Sequence, residues 1–266
     1  LAKMKVLVSK EHRQEAYRET PDVREHVTVT SVIAVAPSDG TSADPVAHRF
    51  SPLFTYPRKY LSTRMALSKL NPSNIATPGT VNVVQSRSSS RSFSGLTIAP
   101  TPALEPKAGF KFAVSASSSG NVNSQIILNY FRHIIIPELR AKGYGKEKWI
   151  FLLGDLHASH CSSALRELLE SEHICMHWMP GHATHLLQPL DVVVFGLFKP
   201  RAKKDIDLWC ACLARYSMKL RVEDFPFVIQ HAYLETHTDP IILQAMAKSG
   251  APPQRCCAFV SPGLPL

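Results

Sequence analysis

The sequence has little that marks a secreted or membrane-spanning protein. Its 266 residues include six cysteines without a repeated spacing. No apolar run approaches the roughly 18 residues that a membrane span requires, and the amino terminus does not resemble a signal peptide. We therefore expect a reducing compartment and no membrane partner. With 45% hydrophobic residues, the chain has enough apolar material for a folded core.

Acidic residues are less numerous than basic residues in this sequence. The chain has 30 Lys and Arg against 21 Asp and Glu, which gives a net charge of +9 and a pI near 9.3. A basic surplus favours a polyanionic partner such as nucleic acid, but exposed Lys and Arg also serve solubility. The charge balance alone leaves both explanations open.

The amino-terminal half is typical of β structure followed by a polar segment. β-branched and apolar residues from His26 to Ala36 predict a strand, and the turn residues after it predict a hairpin to an extended run at 46–55. A short apolar stretch at 6–8 is compatible with a further strand. Between about 71 and 119, Ser, Thr, Pro and Gly dominate, which predicts a flexible insertion.

Regular elements resume at Ser124. Apolar residues at helical spacing predict a helix with Ser124 as its N-cap, which Pro137 is expected to bend or split. An apolar run at 148–153 predicts a buried strand, and a helix at 162–172 and a strand at 174–179 follow. This order predicts two parallel strands whose carboxyl ends lie at one edge of a sheet.

The last third of the chain predicts helices and a tail. Pro189 is suited to the first turn of a helix, a helical pattern covers 208–220, and a weaker one covers 226–236. The stretch 251–266 is rich in proline and is expected to be peripheral.

Two carboxylates stand at positions where α/β enzymes collect catalytic groups. Asp155 follows the predicted strand at 148–153, and Asp191 lies in the first turn of the helix that Pro189 begins. Paired carboxylates on rigid elements suit the divalent ions of metal-assisted phosphoryl chemistry. By position alone, a strand-ending Asp and a helix-capping Asp are the more common explanation.

The residues around these carboxylates form a specific pattern. GDLHASH at 154–160 and MPGHATHLLQPLD at 179–191 strongly resemble the second and third catalytic blocks of the DDE superfamily endonucleases found in pogo, Tigger and jerky-like transposases. The 35 residues between Asp155 and Asp191 fall within the separation in that family. The segments REHVTVTSVIAV, SPLFTYPRKY and SGNVNSQIILNYFRHIIIP are also similar to the family.

The resemblance implies an α/β, RNase H-like mixed sheet flanked by helices, with its N-terminal strand missing here. It implies a DDE domain at 1–220 that contains the insertion at 71–119, followed by a helical extension and proline-rich tail at 221–266. It also implies Mg²⁺- or Mn²⁺-dependent cleavage and transfer of DNA strands in the nucleus, with Asp155 and Asp191 as metal ligands. A homodimer is compatible with it.

The candidate nucleic-acid contacts are basic or imidazole side chains. The resemblance accounts for three histidines in the two blocks, as groups that orient the carboxylates or contact phosphate. The Lys and Arg candidates suit phosphate contacts, with a solvated helix face as the alternative. The full set is Arg58, Lys59, His157, His160, His185, Lys199, Arg201, Lys203 and Lys204. A zinc site among the histidines lacks a regular Cys/His framework.

The sequence departs from the family pattern at three places. Leu156 stands where the family commonly has Asn, Gly181 where it commonly has a second Pro, and no residue matches the first catalytic Asp. Asp22, Asp39 and Asp44 are not convincing substitutes. Three hypotheses stay open: a metal-dependent DNA-cleaving domain, a non-catalytic DNA-binding or interaction protein descended from one, and a decayed element that does not fold stably.

Overall fold

The computed structural model describes residues 27–36, 45–57, 82–85, 110–154, 162–180, 183–214, 220, 222–251 and 257–265. The strands are β1 Thr28–Ala36, β2 Val46–Arg49, β3 Leu53–Pro57, β4 Asn82–Gln85, β5 Lys111–Ser117, β6 Ile150–Gly154, β7 Ile174–Trp178 and β8 Cys257–Pro265. The α-helices are α1 Ser124–Tyr130, α2 Ile136–Ala141, α3 Ser163–Ser171, α4 Thr184–Leu187, α5 Phe195–Ala214, α6 Phe225–Thr236 and α7 Asp239–Lys248. A first π turn spans Phe131–Ile135, a second π turn Leu190–Val194, and a 3₁₀ turn Val222–Asp224.

The eight strands of the described residues belong to one mixed sheet. Its order is β4-β5-β3-β1-β8-β6-β7, with β2 paired to β1 off this path. β1 is antiparallel to β2, β3 and β8, whereas β6 is parallel to β7 and β8. The parallel pair predicted from the strand, helix, strand order is therefore confirmed, and so is the α/β class with a mixed sheet. The RNase H-like assignment stays a prediction.

Side-chain alternation divides the core into two layers, one on each face of the sheet. Odd-numbered residues of β1, such as Ile33, belong to a first layer with α5, α6 and α7. Even-numbered residues such as Val32 belong to a second layer with α1, α2 and α3. β6 divides in the same way, with Leu153 against the first layer and Leu152 in the second. Helices thus cover both faces of the sheet.

The helix predicted at Ser124 is split as expected, but its cap is one residue earlier. Asn123 is the N-cap, since its extended backbone lets Oδ1 accept from Ile126 N at 2.9 Å. The first π turn then separates α1 from α2, and Pro137 lies in the first turn of α2. The backbone stays helical through the π turn, where Ile136 N–H donates to Phe131 O, and Pro137 follows as a residue without an N–H of its own.

The segment expected to be a flexible insertion contributes two strands, which corrects that prediction for its described part. β5 pairs parallel with β3 and antiparallel with β4, and Phe112 and Val114 are buried in the first layer. The alternating apolar residues of KFAVSAS specify a strand although Ser and Ala fill the other positions. Residues 71–81 and 86–109 lie outside the described residues, as do the strand predicted at 6–8 and the turn at 37–40.

The proline-rich tail was expected to be peripheral, and this is wrong for 257–265. β8 lies between β1 and β6, inside the sheet. Its pairing with β1 shifts between Ser261, opposite Ser31, and Leu264, opposite Val29. The two intervening residues, Pro262 and Gly263, therefore face one residue of β1 and form a bulge. A bulge is one of the few places where a strand tolerates proline, because ladder hydrogen bonds are interrupted there.

Candidate functional site

The carboxyl ends of β6 and β7 lie side by side. Gly154 pairs with Trp178, and Met179 N donates to Gly154 O at 2.9 Å just beyond the pair. Asp155 follows Gly154 directly, but it lies outside the described residues together with His157 and His160. The structure therefore gives the strand end that precedes Asp155 and the neighbouring strand beside it.

Asp191 is the second residue of the second π turn, which begins directly after Pro189. Its backbone N–H donates to Gln188 O at 3.0 Å, and its side chain is half-buried. Leu190 and Val194, on the same turn, are fully buried in the first layer. The apolar residues of the turn thus fix the helix start that carries this carboxylate, as the sequence predicted for its position.

The Asp191 turn and β6 share one core layer. Phe151 and Leu153 of β6 pack against the first layer, which also contains Leu190 and Val194. The second π turn also contacts β8, the neighbour of β6 in the sheet. The turn is therefore on the face of the sheet to which the odd-numbered residues of β6 point.

β8 brings no carboxylate to this edge. Its residues Cys257–Pro265 include neither Asp nor Glu, and Val260 is the residue opposite Gly154. Within the part of the chain that the structure describes, no three His, Cys, Asp or Glu residues form a group that could hold a metal ion. Asp191 is the one predicted metal ligand in that part, so the described donors alone do not make a metal site.

Four of the basic candidates are exposed on α5: Lys199, Arg201, Lys203 and Lys204. Two of them have acidic neighbours, since Arg201 Nε is 3.9 Å from Glu235 Oε2 and Lys203 Nζ is 3.2 Å from Asp207 Oδ2. Both of these ion pairs are solvent-exposed and therefore weak. Lys199 and Lys204 have no ion pair among the described residues, which makes them the stronger phosphate candidates of the four.

The remaining basic candidates are less well defined. His185 is exposed on the short helix α4, between the end of β7 and the Asp191 turn. Arg58 and Lys59 follow β3 but lie outside the described residues. The structure therefore places His185 between the two predicted metal-ligand segments along the chain and leaves the Arg58 and Lys59 contacts as predictions.

A buried polar cluster joins β1 to the end of α6, and no sequence pattern predicted it. His237 Nε2 is 3.0 Å from Ser31 Oγ, and His237 Nδ1 is 3.0 Å from the carbonyl oxygen of Tyr233. Since a carbonyl only accepts, Nδ1 carries the proton and Ser31 donates to Nε2. Burial, reinforced by the positive charge of Arg49, lowers the pKa of His237 to about 3 although its bond to the Tyr233 carbonyl opposes the shift.

Comparison with known protein families bears on both carboxylates. The family described as DDE superfamily endonuclease matches residues 82–236, which is more than half of the chain. The chain belongs to the DDE superfamily endonucleases. The match runs from the start of β4 to the end of α6 and includes Asp155 and Asp191. DDE nucleases act on DNA and generally use divalent metal ions.

Part of the chain is also similar to a protein from Cochliobolus lunatus. The DDE chain is 32% identical over 96 residues to a Cochliobolus lunatus protein described as MFS-type transporter clz9; the match covers 36% of this chain and 10% of that protein. The chain thus spans about a tenth of the length of that relative. No helix in the described part of the chain has the length and apolar character to cross a membrane. No solved structure matches the chain.

Proposed function

We propose that this DDE domain binds DNA at the sheet edge where β6 and β7 end, and that it derives from a transposase whose chemistry is metal-dependent strand cleavage and transfer. The observation that carries the proposal is the buried turn that holds Asp191 on the face served by the odd-numbered residues of β6. Asp155 directly follows β6 in the sequence, and Leu153, near the end of β6, packs in the same core layer as the Asp191 turn.

The two carboxylates are the proposed ligands of Mg²⁺ or Mn²⁺, which favour carboxylate oxygens. A bound divalent ion would polarise a phosphoryl oxygen and help to activate the attacking group. In this proposal His157, His160 and His185 orient the carboxylates or contact phosphate. Lys199 and Lys204 hold the DNA backbone, together with the other basic candidates.

A second candidate function is DNA binding without cleavage. It is favoured by the strand next to β6, because β8 supplies no carboxylate opposite the end of β6. A site with two carboxylates holds its ions less firmly than a site with three. Under either function we propose a nuclear location, because the substrate is DNA, and the homodimer stays a prediction.

Metal binding tests the carboxylate pair directly. Mn²⁺ is titrated by calorimetry into the wild-type chain and into Asp155→Asn, Asp191→Asn and, as a matched control, Asp207→Asn, which removes an exposed carboxylate on α5. We expect wild-type binding that weakens by about tenfold or more in the first two variants and is unchanged in the control. Absence of wild-type binding, or equal weakening in the control, would show that the pair is not a metal site.

A DNA assay separates the two candidate functions. Binding of a labelled duplex is measured by fluorescence anisotropy, and strand cleavage is followed on gels with Mn²⁺ present. Cleavage that disappears in Asp155→Asn and Asp191→Asn supports the nuclease, whereas binding without cleavage in every variant supports the non-catalytic function. Replacing Lys199 and Lys204 with Gln should reduce the salt dependence of binding by roughly one counterion per lysine.

A further inference from the structure

A second group of positively charged residues lies apart from the α5 lysines and from the ends of β6 and β7. We propose that a cleft bordered by Arg49, Lys111 and Lys142 is a binding site for phosphate groups. The cleft has a volume of about 500 Å³, which is within the range of pockets that hold small ligands. It is distinct from the α5 lysines and from Asp191, none of which is among its described lining residues.

Three cations converge on this cleft from separate elements. Arg49 ends β2, Lys111 begins β5, and Lys142 follows α2. All three side chains belong to exposed residues, and none forms an ion pair with a carboxylate among the described residues. Cations brought together from distant parts of a chain repel one another unless an anion is present. Their convergence on one concave surface therefore favours an anionic ligand.

Glu138, the acidic residue among the described lining residues of the cleft, already has hydrogen-bond partners. The Glu138 carboxylate accepts hydrogen bonds from both the backbone N–H and the hydroxyl of Ser51, the N–H bond at 3.0 Å. It is therefore held against the loop between β2 and β3 and offsets only one of the three positive charges. The cations are also held in place: Arg49 Nη1 donates to His237 O at 3.3 Å, and Lys142 Nζ is 5.7 Å from the centre of the Phe50 ring.

The cleft is separated from the carboxyl end of β6 across the sheet, not along the strands. Arg49 of β2 pairs with Ile33 of β1, Ile33 pairs with Phe259 of β8, and Phe259 pairs with Leu153 of β6. Because neighbouring strands are about 4.8 Å apart, β2 is roughly 14 Å from β6, with β1 and β8 between them. The cleft and the end of β6 are therefore separate places at a similar level of the sheet.

The chemistry of the lining points to phosphate oxygens. The large side chains beneath the cations, Phe50, Phe110 and Tyr233, are almost fully buried, so they offer no exposed ring face on which a base could stack. The accessible groups are the guanidinium and two ammonium groups, which form strong charge-assisted hydrogen bonds with phosphate. The phosphates could come from a nucleic-acid backbone or from a free phosphate compound, and both present the same oxygens.

The test uses inorganic pyrophosphate and a short deoxythymidine oligonucleotide, titrated by calorimetry in metal-free buffer. The test variant is Lys111→Gln combined with Lys142→Gln. Its matched control is Lys148→Gln combined with Lys248→Gln, which removes the same charge from two exposed lysines that do not line the cleft. We expect pyrophosphate affinity to fall about tenfold in the test variant and to be unchanged in the control.

Each outcome decides the proposal. Oligonucleotide binding that weakens together with pyrophosphate binding identifies a nucleic-acid backbone as the source, and weakening of pyrophosphate binding alone identifies a free phosphate compound. Absence of pyrophosphate binding by the wild-type chain, or equal weakening in test and control variants, overturns the site. Asp191→Asn should leave pyrophosphate binding intact, so failure of the metal site and failure of this cleft are distinguishable.

Discussion

The buried histidine of the β1–α6 cluster predicts how stability depends on pH. His237 is fully buried and its pKa is lowered to about 3, from an ordinary value of 6.5. Between these values the unfolded chain binds a proton at this position and the folded chain does not. Stability therefore falls as pH falls, because protonation favours the unfolded state. Above the ordinary pKa of histidine the effect vanishes.

The size of the effect follows from the two pKa values. Proton binding to one such group in the unfolded chain lowers the free energy of unfolding by up to about 1.4 kcal/mol for each unit by which the pH falls in this window. Between pH ~7 and pH ~5 the total loss is about 2 kcal/mol. Replacing His237 with Gln keeps an acceptor for Ser31 and removes the titrating group. We expect the variant to be less stable at neutral pH, by about 1 to 3 kcal/mol from imperfect hydrogen bonding, but with a shallower loss on acidification.

Urea unfolding at a series of pH values measures this difference. His133→Gln is the control, because His133 is exposed on the first π turn. We expect the difference in free energy of unfolding between wild type and His237→Gln to narrow by about 2 kcal/mol on acidification from pH ~7 to pH ~5. A constant gap over that range would refute it, since the histidine would then titrate equally in the folded and unfolded states.

Three further predictions concern stability. Hydrogen bonds from Lys146 and then Arg140 lower the pKa of Glu172, so Glu172→Gln should cost up to about 1 kcal/mol in urea unfolding at neutral pH. That cost should vanish as pH falls through the carboxyl pKa, and a cost that persists in acid would contradict the ion-pair explanation. Leu152→Ala, at a fully buried position of β6, should cost about 2 to 5 kcal/mol in the same assay, whereas a cost below about 1 kcal/mol would mean that the core collapses onto the cavity. Deleting 257–265 should abolish a single cooperative thermal transition in calorimetry, because it removes the strand between β1 and β6; an unchanged transition would show that the rest of the sheet closes without it.

Local sequence patterns predicted the elements that depend on nearby residues. The apolar runs of β6 and β7 and the amphipathic helix between them are specified within a few residues, and each was found close to its predicted bounds. β5 was missed because its alternation is short and stands in a segment dominated by polar residues. Asn123 was missed as the cap because Ser124 is an equally good capping residue type.

Features that depend on distant partners could not be predicted. Pro262 argues against a central strand unless the pairing with β1 has a bulge, and only the register of the folded sheet shows one. His237 meets Ser31 from 206 positions away, a contact that no local pattern encodes. For the candidate site, the family-like blocks indicated Asp155 and Asp191, and the Asp191 turn is where the sequence placed it. That the strand beside β6 carries no carboxylate could not be predicted, because it depends on which distant strand pairs with β6.

The position of β8 has a consequence for how the protein is made. β8 pairs with β1, which is translated more than two hundred residues earlier, and with β6. While the ribosome is still synthesising the tail, β1 and β6 each present an open strand edge to other nascent chains. The sheet can close only once 257–265 has emerged, because β8 is the strand that joins β1 to β6. Until then these two edges are open to pairing with other chains, so the order of synthesis affects aggregation as well as folding.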